Sequence, residues 1–469
     1  MAEPVLNLVP DIGSDPEHTA IKLNALDATR AVEQTALLLA LITAQGESLL
    51  LEAKKHDRSR AKSGDAQHSE TPTGPEGESV PASRVERGRM VRGRGDAYAA
   101  AAMSGYLSHM HCGGRIVHPD DPALKGRAEE FWRPLMKKKR AGKSKTRDAF
   151  AEANREPDTI PFGRAGNDGK IWEIDFVASP LDGVTAFLGG WNEGTISALA
   201  GVPRGALISA SEPLAKRYLV ITAASKSIHD LSSVATAMRN RCVSFGLRLN
   251  EDAILAEVVR PVRAAFHVHQ DARAAGVTFA TAANPDDNVG KTLLPALRRV
   301  SKTRAFSGSS LAAGLCSWFP STGINVSMTV SRRTHAVMLA IAAVATDGEF
   351  IAIPLEDGAK EDSSKESIRV SSNPSHRVLS KADIVINQSD GFFVATGVSE
   401  TSLLKGVRFV DGRWARTQTL CLRFKSCSHR IIEHHQAIKG LPFRFRDRND
   451  RLTPVLAFLR RHQMQAEFL

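Results

Sequence analysis

Residues 174–185 read IDFVASPLDGVT, an apolar run that stops at a Pro and a Gly on either side of Leu181-Asp182. Ile, Phe and Val give IDFVA the composition of a strand, and Ser179-Pro180-Leu181-Asp182-Gly183 has the residues of a turn. Taken alone, such a turn needs no function, since Pro, Asp and Gly are ordinary turn formers. Its position at the end of a buried strand makes it the most informative turn in the chain.

Working outward, residues 114–117 and 194–200 read as further strands, and residues 96–107 as an Ala-rich helix. Upstream, apolar residues at Leu23, Leu26, Val32, Ala36, Leu39 and Ile42 recur at three- and four-residue spacing, as in one or two helices burying a face. Downstream, residues 227–240 and 264–275 are helical in pattern, 337–345 is a buried helix, and 391–396, 417–424 and 429–438 are strands. Helices and strands alternate throughout, so the fold class is α/β. No internal repeat or heptad is present, which removes solenoids and coiled coils.

Two stretches break this pattern. Residues 54–94 are poor in aliphatics and rich in charge, Pro, Gly and Ser, and are expected to be a disordered insertion. Residues 133–169 carry Lys137, Lys138, Lys139, Arg140, Lys143, Lys145 and Arg147 without interleaved aromatics. That run fits a solvated surface loop better than a polyanion contact. Similarity to a known family implies a third insertion near residues 356–380.

Of 469 residues, 42% are hydrophobic and 24% charged, which excludes a wholly disordered or collagen-like chain. The longest apolar runs, residues 36–44 and 336–346, fall short of the roughly 20 residues that a bilayer span needs. Glu3, Asp11, Asp15 and Glu17, with no Lys or Arg near them, argue against a secretory or transit signal, so a cytoplasmic protein is expected. Cys112, Cys242, Cys316, Cys421 and Cys427 are odd in number and never spaced C-x-x-C, and are read as free thiols. The net charge of +11 favours an anionic partner, either a phosphorylated metabolite or a nucleic acid. No G-x-x-x-x-G-K-[ST] or strand-led G-x-G-x-x-G occurs, so a phosphate loop or dinucleotide fold lacks its key residues. The alternate histidines His109/His111 and His267/His269 fall in helical segments, where such spacing diverges, and His434-His435 is read as surface.

Several segments together resemble one family. GDAYAAAAMSGYLSHMHCGGRIV (95–117), the 179–184 turn, Arg260-Pro261-Val262-Arg263, Pro285-Asp286-Asp287-Asn288, Arg332-Arg333-Thr334-His335, DGFFVATGVSETSLLKGV (390–407) and TQTLCLRFKSCSHR (417–430) are similar to the class II fructose-1,6-bisphosphatases. These belong to the lithium-sensitive, inositol-monophosphatase-like phosphatases. The resemblance implies a layered α-β-α-β-α sandwich of the sugar-phosphatase type with polar surface insertions. It divides the chain into an N-terminal helical segment (1–53), a first α/β half (95–215), a second half with substrate-binding segments (216–440) and a basic tail (441–469).

It also implies hydrolysis of fructose 1,6-bisphosphate to fructose 6-phosphate and phosphate, aided by Mn2+ or Mg2+. Asp96, Asp120 and Asp182 fall at metal-ligand positions, with Asp182 also catalytic, and His335 stands where the family has a glutamate ligand. Ser179 and Val184 replace a carboxylate and a threonine of the family's turn. Arg260, Arg263, Arg332, Arg333, Asp286 and Asp287 fall at substrate-binding positions. Hard cations prefer oxygen donors and shortened carboxylates retract them, so a weakened metal site is expected. The alternative is a catalytically impaired descendant that binds a sugar phosphate or a protein partner. The implied partner is a phosphorylated sugar, with homo-oligomerisation open, nucleic acid disfavoured and no membrane association.

Overall fold

The computed structural model describes residues 16–44, 99–100, 102–103, 107, 114–117, 159–162, 174–183, 194–207, 214–224, 230–246, 248–269, 277–282, 288–306, 309–357, 368–386, 390–410, 414–424 and 428–437. The first elements are α1 (Pro16–Ala44), β1 (Gly114–Val117), β2 (Thr159–Phe162), β3 (Ile174–Asp182), β4 (Ile196–Pro203) and β5 (Arg217–Ala223). Next come α2 (Leu231–Ser244), α3 (Glu251–Ile254), a π turn (Leu255–Val259), α4 (Arg260–His269), β6 (Thr278–Ala282), α5 (Asn288–Arg298) and β7 (Lys302–Phe306). Then follow α6 (Ser310–Cys316), β8 (Val326–Arg332), α7 (Arg333–Thr346), β9 (Glu349–Asp357), β10 (Ile368–Val370), β11 (Leu379–Ser380) and α8 (Lys381–Ile384). The last strands are β12 (Phe392–Gly397), β13 (Arg408–Val410), β14 (Trp414–Arg423) and β15 (Ser428–Ala437).

These strands form two mixed sheets. One has eight strands in the order β13-β14-β12-β4-β3-β1-β2, with β15 on β14. The other has seven, in the order β10-β9-β5-β8-β6-β7, with β11 on β9. Side-chain alternation sorts each sheet into two apolar faces. In the first sheet Ile174, Phe176, Leu199, Phe392 and Val394 meet Ala28, Ala31 and Val32 of α1. Val177, Ala198, Ala200, Phe393 and Ala395, on the opposite face, meet α6 and α7. In the second sheet Leu219, Ile221, Val326, Met328, Ile351 and Ile353 face α2, α3, the π turn, α4 and α5. Tyr218, Val220 and Ala352 point back at α6 and α7. The layers are therefore α-β-α-β-α, as the resemblance implies.

The shared middle layer fixes the site. Helix α7 lies between both sheets, with Ala336 to Ala343 each no more than 1% exposed. An apolar surface on every side is what a helix needs in that position. Two buried polar clusters fasten the first sheet. Arg115 and Asp175 are register partners on β1 and β3; the Arg115 Nε–Asp175 Oδ1 distance is 2.5 Å, and Asp175 Oδ2 accepts the Gly205 amide at 3.1 Å. Glu33 on α1 accepts from Thr419 Oγ1 at 2.7 Å and meets His434 Nδ1 at 2.5 Å. That hydrogen bond to Glu33 raises the His434 pKa above its ordinary value of 6.5. Cys242, Cys316 and Cys421 are free thiols, which burial pushes up to about 11, 12 and 11.

Some expectations need correction. Within the polar stretch 133–169, Thr159–Phe162 is a strand paired antiparallel with β1. Thr, Ile and Phe suit a pleated edge, and the basic residues before them hide a four-residue strand from pattern reading. The region 356–380 likewise contributes β10 and β11 to the second sheet. The helix expected at 264–275 begins at Arg260, continuous with α3 through the π turn, while α2 starts at Leu231 behind its Asp230 cap. His434 turns inward to Glu33 while His435 is half exposed, so the pair is surface only in part. Strands from residues 392–437 return to the first sheet. The segments 54–94 and 441–469 lie outside the described residues. Among the described residues no helix is long and apolar enough to cross a membrane.

Candidate active site

The end of β3 carries an irregularity that sets the site's geometry. Ser179 pairs with Ala198, but Asp182 rather than Leu181 pairs with Ile196, so β3 holds one residue more than β4 across this interval. In a regular strand, residues three apart face opposite sides of the sheet. The extra residue turns Asp182 to the same face as Ser179, toward the middle layer, which is the re-aiming a β-bulge performs. Pro180 sits in the bulge, where its missing N–H is tolerated. Gly183 follows with φ +89°, and a Cβ there would lie 2.9 Å from the Gly194 carbonyl oxygen.

Two helix starts meet these side chains. Ser309 caps α6, its hydroxyl accepting the Ala312 amide at 3.1 Å. Its Oγ donates to Asp182 Oδ2 at 2.7 Å, and the Leu311 amide donates to the same oxygen at 2.7 Å. A carboxylate is favoured there because the first amides of a helix lack intrahelical acceptors. His335, in the first turn of α7, joins the cluster through both ring nitrogens. Nε2 is 3.0 Å from Ser179 Oγ, and Nδ1 is 2.8 Å from Ser310 Oγ and 3.7 Å from Asp182 Oδ1. The Asp182 and His335 side chains are only 4% and 12% exposed, so this is an interior polar cluster.

Of the residues expected at the site, Asp182 and His335 are brought together. Arg332 caps α7 with extended backbone and is exposed, and Arg333 is half-buried at the next position. Arg332 pairs in register with Arg217, and the Arg333 amide donates to the Lys216 carbonyl at 3.1 Å. Lys216, Arg217, Arg332 and Arg333 thus gather four cations where β5 begins and β8 passes into α7. Arg260 and Arg263 are elsewhere: they open α4, in the helical layer beyond the second sheet from α7. Asp96, Asp120, Val184, Asp286 and Asp287 lie outside the described residues.

Pattern reading missed Ser309 and Ser310, although SGSSLAAGLC shows a signal: hydroxyl residues just before an apolar run mark a helix start. It also missed Lys216 and Arg217, which join the arginine pair only through strand register.

Among the described residues the donor set does not fit a hard divalent cation. Among the described residues no group of three or more His, Cys, Asp or Glu side chains could hold a metal ion. The cluster offers one carboxylate, one imidazole and three hydroxyls, whereas Mg2+ and Mn2+ favour several anionic oxygens.

Two mixed sheets enclosing a helical layer, with helices outside both, are the architecture of the layered α/β phosphatases. One segment of the sequence points the same way. Residues 291–436 match the family model described as bacterial fructose-1,6-bisphosphatase, glpX-encoded, a span that takes in α6, α7 and the last strands. That segment is therefore similar to a family of phosphoric monoester hydrolases, over less than half of the chain. The family is in general metal-dependent.

Proposed function

We propose that this chain is a fructose-1,6-bisphosphatase-like sugar phosphatase that removes the 1-phosphate of fructose 1,6-bisphosphate. The observation that carries the reading is that the family-matched span contains α7, whose first turn sets His335 beside Asp182 and four cations on the adjoining strand ends. Phosphoryl transfer requires charge on the phosphoryl oxygens to be neutralised and the reacting groups to be positioned. Arg332 and Arg333, with Lys216 and Arg217, would supply the first, since guanidinium matches phosphate bidentately. Asp182 is the proposed catalytic carboxylate, and Asp286 and Asp287 the proposed sugar contacts. Arg260 and Arg263 remain proposed substrate contacts from the resemblance alone.

The test is release of inorganic phosphate from fructose 1,6-bisphosphate in Mn2+ or Mg2+, with Asp182→Asn alongside. Turnover by the wild type that is lost in Asp182→Asn supports the enzyme. The filled hydrogen-bond capacity of Asp182 Oδ2 favours a second reading, a descendant that binds the sugar phosphate without hydrolysing it. Saturable binding with no phosphate released at high protein concentration would select that reading and overturn the first.

A further inference from the structure

We propose that α1 is a strap over the outer face of the first sheet, clasped by the Glu33–His434 pair and loosened when His434 gives up its proton. This device lies on the face of the sheet away from the middle layer and is independent of the phosphatase reading. Helix α1 meets the sheet in two ways. Ala28, Ala31 and Val32 pack on Phe176, Phe392 and Val394, an apolar contact that no proton can alter. Toward β14 and β15 the contact is largely polar. Glu33 accepts from Thr419 Oγ1 at 2.7 Å and meets His434 Nδ1 at 2.5 Å, and Gln34 Nε2 donates to Gln436 Oε1 at 2.6 Å. This polar half is incompletely bonded: Gln34 Oε1 and Thr417 Oγ1, the latter on the register partner of His434, are buried without a hydrogen-bond partner. The charge pair therefore carries much of its attraction.

The Glu33 side chain is 4% exposed and that of His434 32%, so the carboxylate is enclosed while its counter-charge can trade protons with water. On α1, Glu33 favours the protonated imidazole and Arg30 opposes it. From β14, Thr417 and Thr419 share the face of His434, with Cys421 beyond them, a thiol that burial pushes up to about 11. Glu433 and His435 alternate to the opposite face of β15, where they lie 3.4 Å apart. A neutral imidazole can still donate from Nδ1, but the charge that balances the buried carboxylate is gone, and an unbalanced buried charge is costly. The hydrogen bond to Glu33 raises the His434 pKa above 6.5, so the clasp is complete below that value and is lost as pH climbs through the folded one. The apolar half of the contact persists, so α1 opens more often while the sheet stays folded.

The probe is a thiol introduced by Val394→Cys, at a site 1% exposed beneath α1, in the full-length chain. Cys316 in α6, 0% exposed, reports opening of the interior as a whole. Both are alkylated with iodoacetamide at pH 6 and pH 9 and located by mass spectrometry, and each rate is divided by that of a free peptide thiol at the same pH. The expected result is a normalised rate at position 394 about three- to tenfold higher at pH 9, with Cys316 unchanged. Adding His434→Asn, whose amide does not titrate, should remove the pH dependence. Equal protection at both pH values overturns the proposal, as does a rise shared by Cys316 or one that survives His434→Asn. Should His434→Asn fail to fold, Glu33→Gln takes its place with the same outcomes. Should Val394→Cys fail to fold, the native Cys421, 3.6 Å from Thr29 of α1, serves as the reporter.

Discussion

Replacing Asp182 with alanine tests whether the polar centre holds the middle layer together. The substitution removes the acceptor of two hydrogen bonds, from Ser309 Oγ and the Leu311 amide, both at 2.7 Å and both buried. A hydrogen bond to a charged group contributes about 1.5–3 kcal/mol, and a buried donor left without a partner costs about 1–3 kcal/mol. The Ser309 hydroxyl can rotate toward another acceptor, but the Leu311 amide is fixed by the helix. Asp182→Ala is therefore expected to lose about 3–5 kcal/mol, and Asp182→Asn, which keeps one oxygen, about 1–2 kcal/mol. Urea unfolding followed by circular dichroism measures both, provided the slope against denaturant is unchanged. A loss below about 1 kcal/mol for Asp182→Ala would show that the carboxylate does not hold the start of α6, and the reasoning about the centre would fail.

Other consequences are open to measurement. Asp175→Ala removes the buried carboxylate that pairs with Arg115 and is expected to cost about 3–5 kcal/mol in the same unfolding assay, against near zero for an exposed pair such as Arg408–Glu400. His434 has a folded pKa raised by Glu33, so its contribution is fully present below the unfolded value near 6.5 and is lost as pH climbs through the folded one. The melting gap between wild type and His434→Ala should accordingly shrink from pH 6 to pH 9, and a constant gap would contradict the pairing. Gly183→Ala forces a Cβ to 2.9 Å from the Gly194 carbonyl at φ +89° and is expected to cost about 1–3 kcal/mol, measured by thermal melting.

Much of this fold is readable because its elements are locally consistent. The apolar spacing along α1, the strand ending in Pro-Leu-Asp-Gly and the unbroken apolar run 336–345 of α7 each announce themselves, and together with the family resemblance they yield the five layers. Strand order is another matter: β12 to β15 lie beside β4 although the whole second sheet intervenes in the sequence, and no local pattern encodes that return. The site was legible in part. The resemblance makes Asp182 and His335 prospective partners around a metal, whereas the hydrogen bonds to Ser309, Ser310 and Ser179 depend on tertiary contacts. Strand alternation would have set Ser179 and Asp182 on opposite faces; only the extra residue in β3 brings them to one side, and a bulge depends on pairing with β4. Ser309 and Ser310 read as a helix start, and what they cap against is visible only once β3 is in place.

Helix α7 has a consequence for how the site opens. Wedged between the two sheets with nearly every side chain covered, its amides would be among the last in the molecule to exchange with heavy water, because releasing them means parting both sheets. The imidazole that bridges Ser179 and Ser310 rides on the first turn of that slowest unit. Its geometry is tied to cooperative unfolding of the interior rather than to the breathing of a surface segment.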